Sequence, residues 1–331
     1  MKPQKRIRRW PLVYGILLTA YAFFTLLDAF VIPQDRITLE EIGKNAAISQ
    51  APSEPGSEPS GQEDKLPEAP EEPEQTALEP PEPSEPVITE TSYVSDEISI
   101  QLSQIERYGT HIYLADVVLK DPAHLKAGLA GGAFGRNITE ATSVIAEENG
   151  ALFAVNGDYY GFRDRGFVMR GGYLYRTTAQ RGTGCEDLVI YQDGSLGIVE
   201  EASSDAAELA KAGAVHIFSF GPGLILDGEI TVDETSEVEQ AMRSNPRTAI
   251  GEIGPLHYLF IVSDGRTEES AGLTLLQLAE VMQELNCNTA YNLDGGGSST
   301  MWFMGRIINH PTTNGWREGE RKVSDIVYIG E

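Results

Sequence analysis

Two short segments place a carboxylate beside glycine at the end of an apolar run. One is Val155-Asn156-Gly157-Asp158, followed by Tyr159 and Tyr160, and the other is Leu293-Asp294, followed by Gly295, Gly296, Gly297, Ser298 and Ser299. Glycine permits tight turns and close backbone approach, and successive glycines can point N–H groups into a concavity suited to an anion such as phosphate. A hairpin turn explains Asn156-Gly157 taken alone, but three glycines followed by hydroxyl residues exceed what a turn needs. We predict a binding site there.

Arginine in a stiff loop is a second source of chemistry. Pro246 stiffens the segment Ser244-Asn245-Pro246-Arg247-Thr248, and a guanidinium binds phosphate or carboxylate through two parallel hydrogen bonds. A surface arginine beside a turn is the alternative for Arg247, and equally for Arg321. Of the five histidines only His310, downstream of the glycines, is kept as a candidate.

Several kinds of site are missing from the sequence. It has no HExxH, Walker or GxSxG motif, and its two cysteines, Cys185 and Cys287, are too few for a zinc site or a disulfide framework. We therefore predict no cofactor and no metal site, and leave dependence on a divalent metal open. The net charge of −25 argues against a nucleic-acid partner, because phosphate binding requires clustered Lys and Arg.

The sequence predicts that these residues are positioned by a single α+β domain over residues 91–331. This domain should have mixed sheets, many hairpins and few helices. Apolar runs predict strands over 113–119, 151–155, 257–262, 289–293 and 325–329. Helices are predicted over 139–149 and from Thr274, where Gln277 completes a capping box. Asp193-Gly194 and Asp227-Gly228 predict hairpins, and the order lacks the regular βαβ alternation of a dinucleotide-binding fold.

The first 90 residues differ in composition from the rest. Residues 1–9 carry five basic side chains, which predicts a cytoplasmic tail. Residues 10–32 are a largely apolar stretch whose single charge is Asp28. As a helix this stretch would measure about 34 Å, enough to cross a bilayer, so we predict a single-pass anchor with the domain outside the cell. A cleaved signal peptide and a buried core helix are the alternatives. Residues 33–90 are predicted to be a disordered linker, since residues 51–90 hold ten Pro and eleven Glu.

Taken together, the motifs resemble the phosphodiester glycosidase family over residues 108–330. They include AVNGDYYGFRDRGFVMRGG, SNPRTAIG, YLFIVSDGR, NLDGGGSSTM and GERKVSD. The resemblance implies release of a sugar, such as N-acetylglucosamine, from a glycosyl-1-phosphodiester in cell-surface or exopolysaccharide material. One departure is Ser324-Asp325-Ile326, where family members often carry an Asn-Ala-like pair.

The resemblance and the residue chemistry together give a candidate site. Asp294 and Asp158 are predicted to be the catalytic carboxylates, assisted by Arg247. The predicted substrate-binding residues are Asn156, Gly157, Tyr159, Tyr160, Asn245, Thr248, Asp264, Gly295, Gly296, Gly297, Ser298, Ser299, His310 and Arg321. Core packing is an equal alternative to sugar stacking for the two tyrosines. A non-catalytic wall-polysaccharide binding domain and a phosphodiesterase that cleaves P–O are the alternative functions.

Overall fold

The computed structural model describes residues 10–30, 34–38, 85–182, 184–236 and 244–331. Its α-helices are α1 Trp10–Phe30, α2 Thr142–Glu148, α3 Ala206–Lys211 and α4 Leu275–Glu284. The strands, in chain order, are β1 Gln34–Thr38, β2 Val87–Ile88, β3 Ser92–Val94, β4 Ile98–Arg107, β5 Thr110–Leu119, β6 Leu125–Leu129, β7 Ala133–Arg136, β8 Phe153–Asn156, β9 Val168–Arg170, β10 Tyr173–Arg176, β11 Glu186–Tyr191, β12 Leu196–Glu200, β13 Ala214–Phe218, β14 Gly223–Leu226, β15 Glu229–Ile230, β16 Arg247–Gly254, β17 His257–Ser263, β18 Thr289–Leu293, β19 Met301–Phe303, β20 Arg306–Ile307 and β21 Asp325–Ile329.

Sheets dominate the domain and helices are few, as the sequence predicts. The largest sheet has nine strands in the order β15-β14-β18-β16-β17-β5-β4-β3-β2. Two five-stranded sheets have the orders β20-β19-β8-β21-β6 and β10-β9-β13-β11-β12, and β1 pairs with β7. The central pairs β16–β17, β16–β18 and β17–β5 are antiparallel.

Two of these sheets pack face to face over the main hydrophobic core. Phe153 and Val155 of β8 meet Phe260 and Val262 of β17, and the rings of Phe153 and Phe260 lie 5.0 Å apart. Because side chains alternate along a strand, the next residues of β17 point to the opposite face. There Ile261 packs against α4. The ends of the facing sheets are therefore held at a fixed separation.

Helix α4 starts where the capping box predicts. The Thr274 side chain accepts from the Gln277 backbone N–H at 3.1 Å, and Gln277 Oε1 accepts from the Thr274 backbone N–H at 3.0 Å. Leu278 and Met282, four residues apart on one helical face, are fully buried against the nine-stranded sheet. This packing secures strands β16, β17 and β18, whose ends carry the site residues.

The N-terminal predictions are tested only in part. Helix α1 covers most of the predicted span over 10–32, but among the residues described we find no helix that is both long and apolar enough to cross a bilayer. The transmembrane prediction is therefore not confirmed. Strands β1 and β2 lie inside the predicted linker 33–90, and β2 pairs with β3, so the nine-stranded sheet begins before residue 91. Residues 1–9 and 39–84 lie outside the described residues.

Candidate active site

The two carboxylate-glycine segments meet where the facing sheets come together. The backbone N–H of Asp294, just after β18, donates to the Gly157 carbonyl, just after β8, at 3.0 Å. Asn156 Nδ2 donates to the Asp294 carbonyl at 2.5 Å, and Asn156 Oδ1 accepts from Thr248 Oγ1 at 2.8 Å. Asn156 and Thr248 are both fully buried. They therefore tie the two sheets together beneath Asp294 and are placed to position it.

Asp294 forms the centre of the site. Its Oδ2 accepts from Ser298 Oγ at 2.6 Å and from Arg321 Nη2 at 3.0 Å, and Arg321 Nε donates to Ser298 Oγ at 2.9 Å. Burial raises the pKa of the Asp294 carboxyl, while Arg321 and Ser298 hold it down and the charge of Asp158 raises it further. Arg321 keeps 40% of its side chain exposed, against 8% for Asp294. The guanidinium thus faces solvent while it pairs with a buried carboxylate.

Asp158, the second predicted carboxylate, has both oxygens bound within the protein. Its Oδ2 accepts from the Ser219 N–H at 2.9 Å, and its Oδ1 accepts from the N–H of Tyr159. Its own N–H donates to Asp325 Oδ1 at 2.7 Å, and Asp325 Oδ2 accepts from Arg170 Nε at 2.7 Å. Arg170 Nη2 lies 3.7 Å from Asp158 Oδ2. Asp158 is therefore part of a buried network, and its charge contributes a small upward shift to the pKa of Asp294.

The Asp325–Arg170 pair is the main component of that network. Asp325 is fully buried and Arg170 is 3% exposed, and the guanidinium also stacks over the Phe218 ring at 3.7 Å. Burial raises the pKa of Asp325 to about 6, although Arg170 opposes the shift. In the sequence, Asp325 stands out only as a departure from the family pattern, and Arg170 carries no signal of its own.

Cationic side chains gather around the glycine loop. Arg247 is 3% exposed, and its Nε donates to the Leu273 carbonyl at 2.9 Å. A Cβ on Gly295 would lie 2.9 Å from the Pro246 carbonyl oxygen, and one on Gly296 would lie 2.9 Å from Arg266 Nη2. Only glycine fits this approach without a shift of its neighbours, so the run keeps the backbone close to the guanidinium groups.

Arg266 is a further cation that sequence reasoning missed. Its Nε and Nη2 donate to Asn245 Oδ1 at 3.0 and 2.9 Å, and its Nη1 donates to the Thr313 carbonyl at 2.7 Å. Burial lowers its pKa, and the nearby charge of Arg321 lowers it further. The available signal was its position directly after Asp264-Gly265. Asn245 therefore positions a cation here.

Asp264 and His310 form a separate pair along the same sheet edge. Asp264 Oδ1 accepts from the His310 backbone N–H at 2.9 Å, and its Oδ2 lies 3.2 Å from His310 Nδ1. Tyr113, which was not predicted, has its OH 3.1 Å from Asp264 Oδ2 and 3.0 Å from His310 Nδ1. Burial and the charge of Asp264 raise the pKa of Tyr113, so it acts as a neutral hydroxyl.

The remaining predicted residues fall into two groups. Gly297 and Ser299 lie in or directly after the short 3-10 turn Gly296–Ser298; Ser299 is fully buried, and its hydroxyl lacks a hydrogen-bond partner among the described residues. Tyr160 is 1% exposed and stacks on Phe134 at 5.1 Å, so the sugar-stacking prediction is corrected for this residue in favour of core packing. Tyr159 is half-buried and stacks on Phe162 at 4.8 Å.

The described residues contain no group of three or more His, Cys, Asp or Glu side chains arranged to hold a metal ion. The site instead presents one central carboxylate, several guanidinium groups and a glycine-rich turn. Guanidinium groups and closely approached backbone suit a phosphate, and a buried carboxylate suits a developing cation. These groups have the chemistry for cleaving a sugar from a phosphate.

Comparison with known proteins supports this chemistry at the level of the family. A family model described as phosphodiester glycosidase matches residues 149–330, more than half of the chain. The chain therefore belongs to the phosphodiester glycosidase family, which supports a glycosyl-phosphodiester hydrolase at the family level.

Three curated relatives align with part of this chain. The chain is 30% identical over 182 residues to the SPbeta prophage-derived uncharacterized protein YomE of Bacillus subtilis, which covers 54% of this chain and 28% of that protein. It is 26% identical over 240 residues to the N-acetylglucosamine-1-phosphodiester alpha-N-acetylglucosaminidase of Bos taurus, covering 67% and 44%. The Homo sapiens enzyme of that name is 28% identical over 246 residues, covering 67% and 45%. The chain spans less than half the length of these relatives.

Solved structures agree in fold. The catalytic domain of the zebrafish N-acetylglucosamine-1-phosphodiester alpha-N-acetylglucosaminidase, auto-inhibited by its pro-peptide, superimposes with a TM-score of 0.56 at 24% identity. The match covers 71% of this chain and 83% of that one. A hypothetical protein from Synechocystis gives 0.51 at 15% identity, covering 71% and 62%. At these identities the likeness concerns the fold alone.

Proposed function

We propose that this protein hydrolyses a glycosyl-1-phosphodiester, with Asp294 as the catalytic carboxylate. The observation that carries the proposal is the contact of Asp294 with both Arg321 and Ser298 beside the glycine turn. Breaking the anomeric C–O bond develops positive charge on the sugar, and a carboxylate stabilises or traps that charge. The departing phosphate takes the electrons of the broken C–O bond and gains negative charge, which guanidinium groups stabilise.

Roles follow from exposure and contacts. Arg321 is half-exposed and is proposed to bind the phosphate. Buried Arg247 and exposed Arg266 are proposed to add positive charge beside the glycine turn. Asp158, fixed by Ser219 and close to Arg170, is proposed to tune Asp294 electrostatically and to position the turn after β8. Asn156 and Thr248 fix the Asp294 backbone. Water supplies a hydroxyl group to the anomeric carbon and a proton to the phosphate.

The substrate proposed is an N-acetylglucosamine-1-phosphodiester, which is the compound named for the curated mammalian relatives. The purified full chain should be offered UDP-N-acetylglucosamine and simple alkyl N-acetylglucosaminyl phosphodiesters, with the released sugar identified. We expect the wild type to release N-acetylglucosamine, and Asp294→Asn to release none while keeping its melting temperature. Turnover retained in Asp294→Asn would remove this carboxylate from the catalytic role.

Isotope labelling separates the proposed reaction from the alternatives. In ¹⁸O-labelled water, C–O cleavage places the label in the sugar, whereas P–O cleavage places it in the phosphate. A protein that binds the saccharide but releases no product is a polysaccharide-binding domain. Anchoring at the cell membrane with the domain outside remains a proposal from the first 32 residues, and fractionation of cells tests it.

A further inference from the structure

A cleft of about 410 Å³ opens beside the Asp264–His310 pair, outside the Asp294 centre. Its walls include His111, Asp264, Ser270, His310, Trp316 and Glu318. We propose that this cleft is a carbohydrate subsite that holds a neutral or amino pyranose, with the Trp316 indole as its stacking platform. The assignment rests on the proposed function in one respect: it places the sugar-containing part of the substrate here and the phosphate at the guanidinium groups.

Trp316 is the first observation that supports a ligand. It is 85% exposed, whereas Trp302 is 4% exposed. Tryptophan buries a large apolar area when it has a partner, so an indole left in water beside a cleft is available to a ligand. The flat apolar face of a pyranose matches an aromatic ring, and ligand pockets use such rings together with a few polar groups.

The loop that carries Trp316 is closed by its own hydrogen bonds. Thr312 Oγ1 accepts from the Gly315 N–H at 2.9 Å and donates to the Arg317 carbonyl at 3.0 Å. Asn314 Oδ1 accepts from the N–H groups of Trp316 at 3.3 Å and Arg317 at 3.2 Å. These hydrogen bonds fix the backbone that carries the indole, which reduces the ordering cost of binding.

His310 lines the cleft and presents an oriented imidazole to it. Asp264 holds the backbone N–H of His310 and lies beside its Nδ1, and Tyr113 lies beside the same nitrogen. The ring therefore directs Nε2 away from this pair, and 63% of the side chain is exposed. Sugar hydroxyls both donate and accept, so an imidazole nitrogen and nearby carboxylates suit them.

Charge decides which half of the substrate occupies the cleft. Besides Asp264, the lining carries Glu268, Glu269 and Glu318 against a single arginine, Arg317. A phosphate would be repelled by these carboxylates, whereas Arg247, Arg266 and Arg321 gather around the glycine turn. The segment 310–321 joins the two regions, because the Thr313 carbonyl accepts from Arg266 and Arg321 follows eight residues later. The substrate is therefore expected to lie along this segment.

Tryptophan fluorescence tests the subsite without requiring turnover. Acrylamide quenching of the full-length Asp294→Asn protein would be measured with N-acetylglucosamine oligosaccharides, with free N-acetylglucosamine and with inorganic phosphate. We expect the saccharides to reduce quenching at least about twofold and Trp316→Phe, introduced alongside, to remove the saccharide-sensitive signal. Phosphate should leave quenching unchanged. Quenching unaltered by every saccharide, or reduced equally by phosphate, overturns the subsite.

Kinetics separate this proposal from the proposed function. Trp316→Ala should raise KM for an N-acetylglucosaminyl phosphodiester about tenfold with kcat within about twofold, and Tyr173→Ala, which truncates another exposed aromatic residue, should change neither. Equal kinetics for Trp316→Ala and wild type overturn the subsite while the hydrolase stands. Saccharide protection of Trp316 in a protein that turns over no phosphodiester supports the subsite and overturns the hydrolase.

Discussion

Arg321 and Asp294 form an ion pair that is exposed on one side only. Arg321 Nη2 lies 3.0 Å from Asp294 Oδ2, and the guanidinium is 40% exposed while the carboxylate is almost entirely buried. Ser298 Oγ joins them, since it donates to Asp294 at 2.6 Å and accepts from Arg321 Nε at 2.9 Å. The guanidinium can therefore keep its carboxylate ionised and still contact a ligand anion from its open side.

Replacement of Arg321 is predicted to shift the pH profile as well as the rate. Arg321→Gln removes the cation that lowers the pKa of Asp294, and burial then raises that pKa further. If the reaction requires ionised Asp294, the acid limb of kcat/KM should move to higher pH, and kcat/KM should fall about 100-fold at neutral pH. Arg321→Lys should retain part of the pKa effect, because it keeps the charge. A rate loss with an unmoved acid limb would show that Arg321 does not tune Asp294.

The buried Asp325–Arg170 pair is predicted to support the fold beneath the site. Asp325→Ala leaves Arg170 and the Asp158 N–H without their carboxylate partner in a buried region. Loss of one partner of such a pair costs about 3–5 kcal/mol, so the free energy of unfolding in denaturant should fall by this order. The control is Asp116→Ala, which removes a half-exposed carboxylate 3.0 Å from His257 and should cost less than about 1 kcal/mol. Equal losses in the two variants would contradict the prediction.

Asp187 is predicted to make stability decrease with rising pH. It is fully buried, and burial together with the charge of Glu201 raises its pKa to about 11. The folded protein therefore keeps a proton that the unfolded chain loses near its ordinary pKa of 3.8, and the free energy of unfolding falls as pH rises above about 4.

Asp187→Asn tests this linkage directly. The variant cannot ionise, so it should flatten the decline by up to about 1.4 kcal/mol per pH unit between pH 5 and 8. Urea unfolding of both proteins across that interval provides the measurement. Parallel curves would show that Asp187 is ionised in the folded state.

The sequence predicts the framework of the fold well, because the signals are local. The apolar runs that form β17 and β18 and the Thr274–Gln277 capping box each depend on neighbouring residues, and the structure confirms both. The pairing order of the nine-stranded sheet joins strands that are far apart in the chain, so it could not be read from periodicity.

The site residues also differ in whether a local sequence signal predicts them. Asn156, Asp294 and the glycine run carry a local signature, and the structure places them together. Arg170 and Arg266 have ordinary sequence surroundings. Arg170 becomes important because it is buried, and both arginines become important through partners that the fold brings close. Tyr160 shows the opposite case, since an aromatic residue beside a polar cluster lies in the core.

Gly297 is predicted to set the distance between the glycine turn and the segment that carries Arg321. A Cβ at this position would lie 3.0 Å from Thr313 Cα, and the Gly297 carbonyl accepts from the Arg321 N–H at 3.2 Å. Gly297→Ala should push this segment outward and draw Arg321 away from Asp294. Displacements of about 1 Å at a catalytic group can cost about 100-fold in rate, so kcat/KM should fall by this order.

Gly254→Ala is the matched control for this prediction, because a Cβ there would meet no atom within 4 Å. Neither glycine has a positive φ, so alanine adds no backbone strain at either position and the two variants differ only in the space available. The melting temperature and kcat/KM should both stay at the wild-type level for Gly254→Ala. A Gly297→Ala protein with full activity would mean that the Thr313 segment yields without moving Arg321, and that close packing of the turn is not required for catalysis.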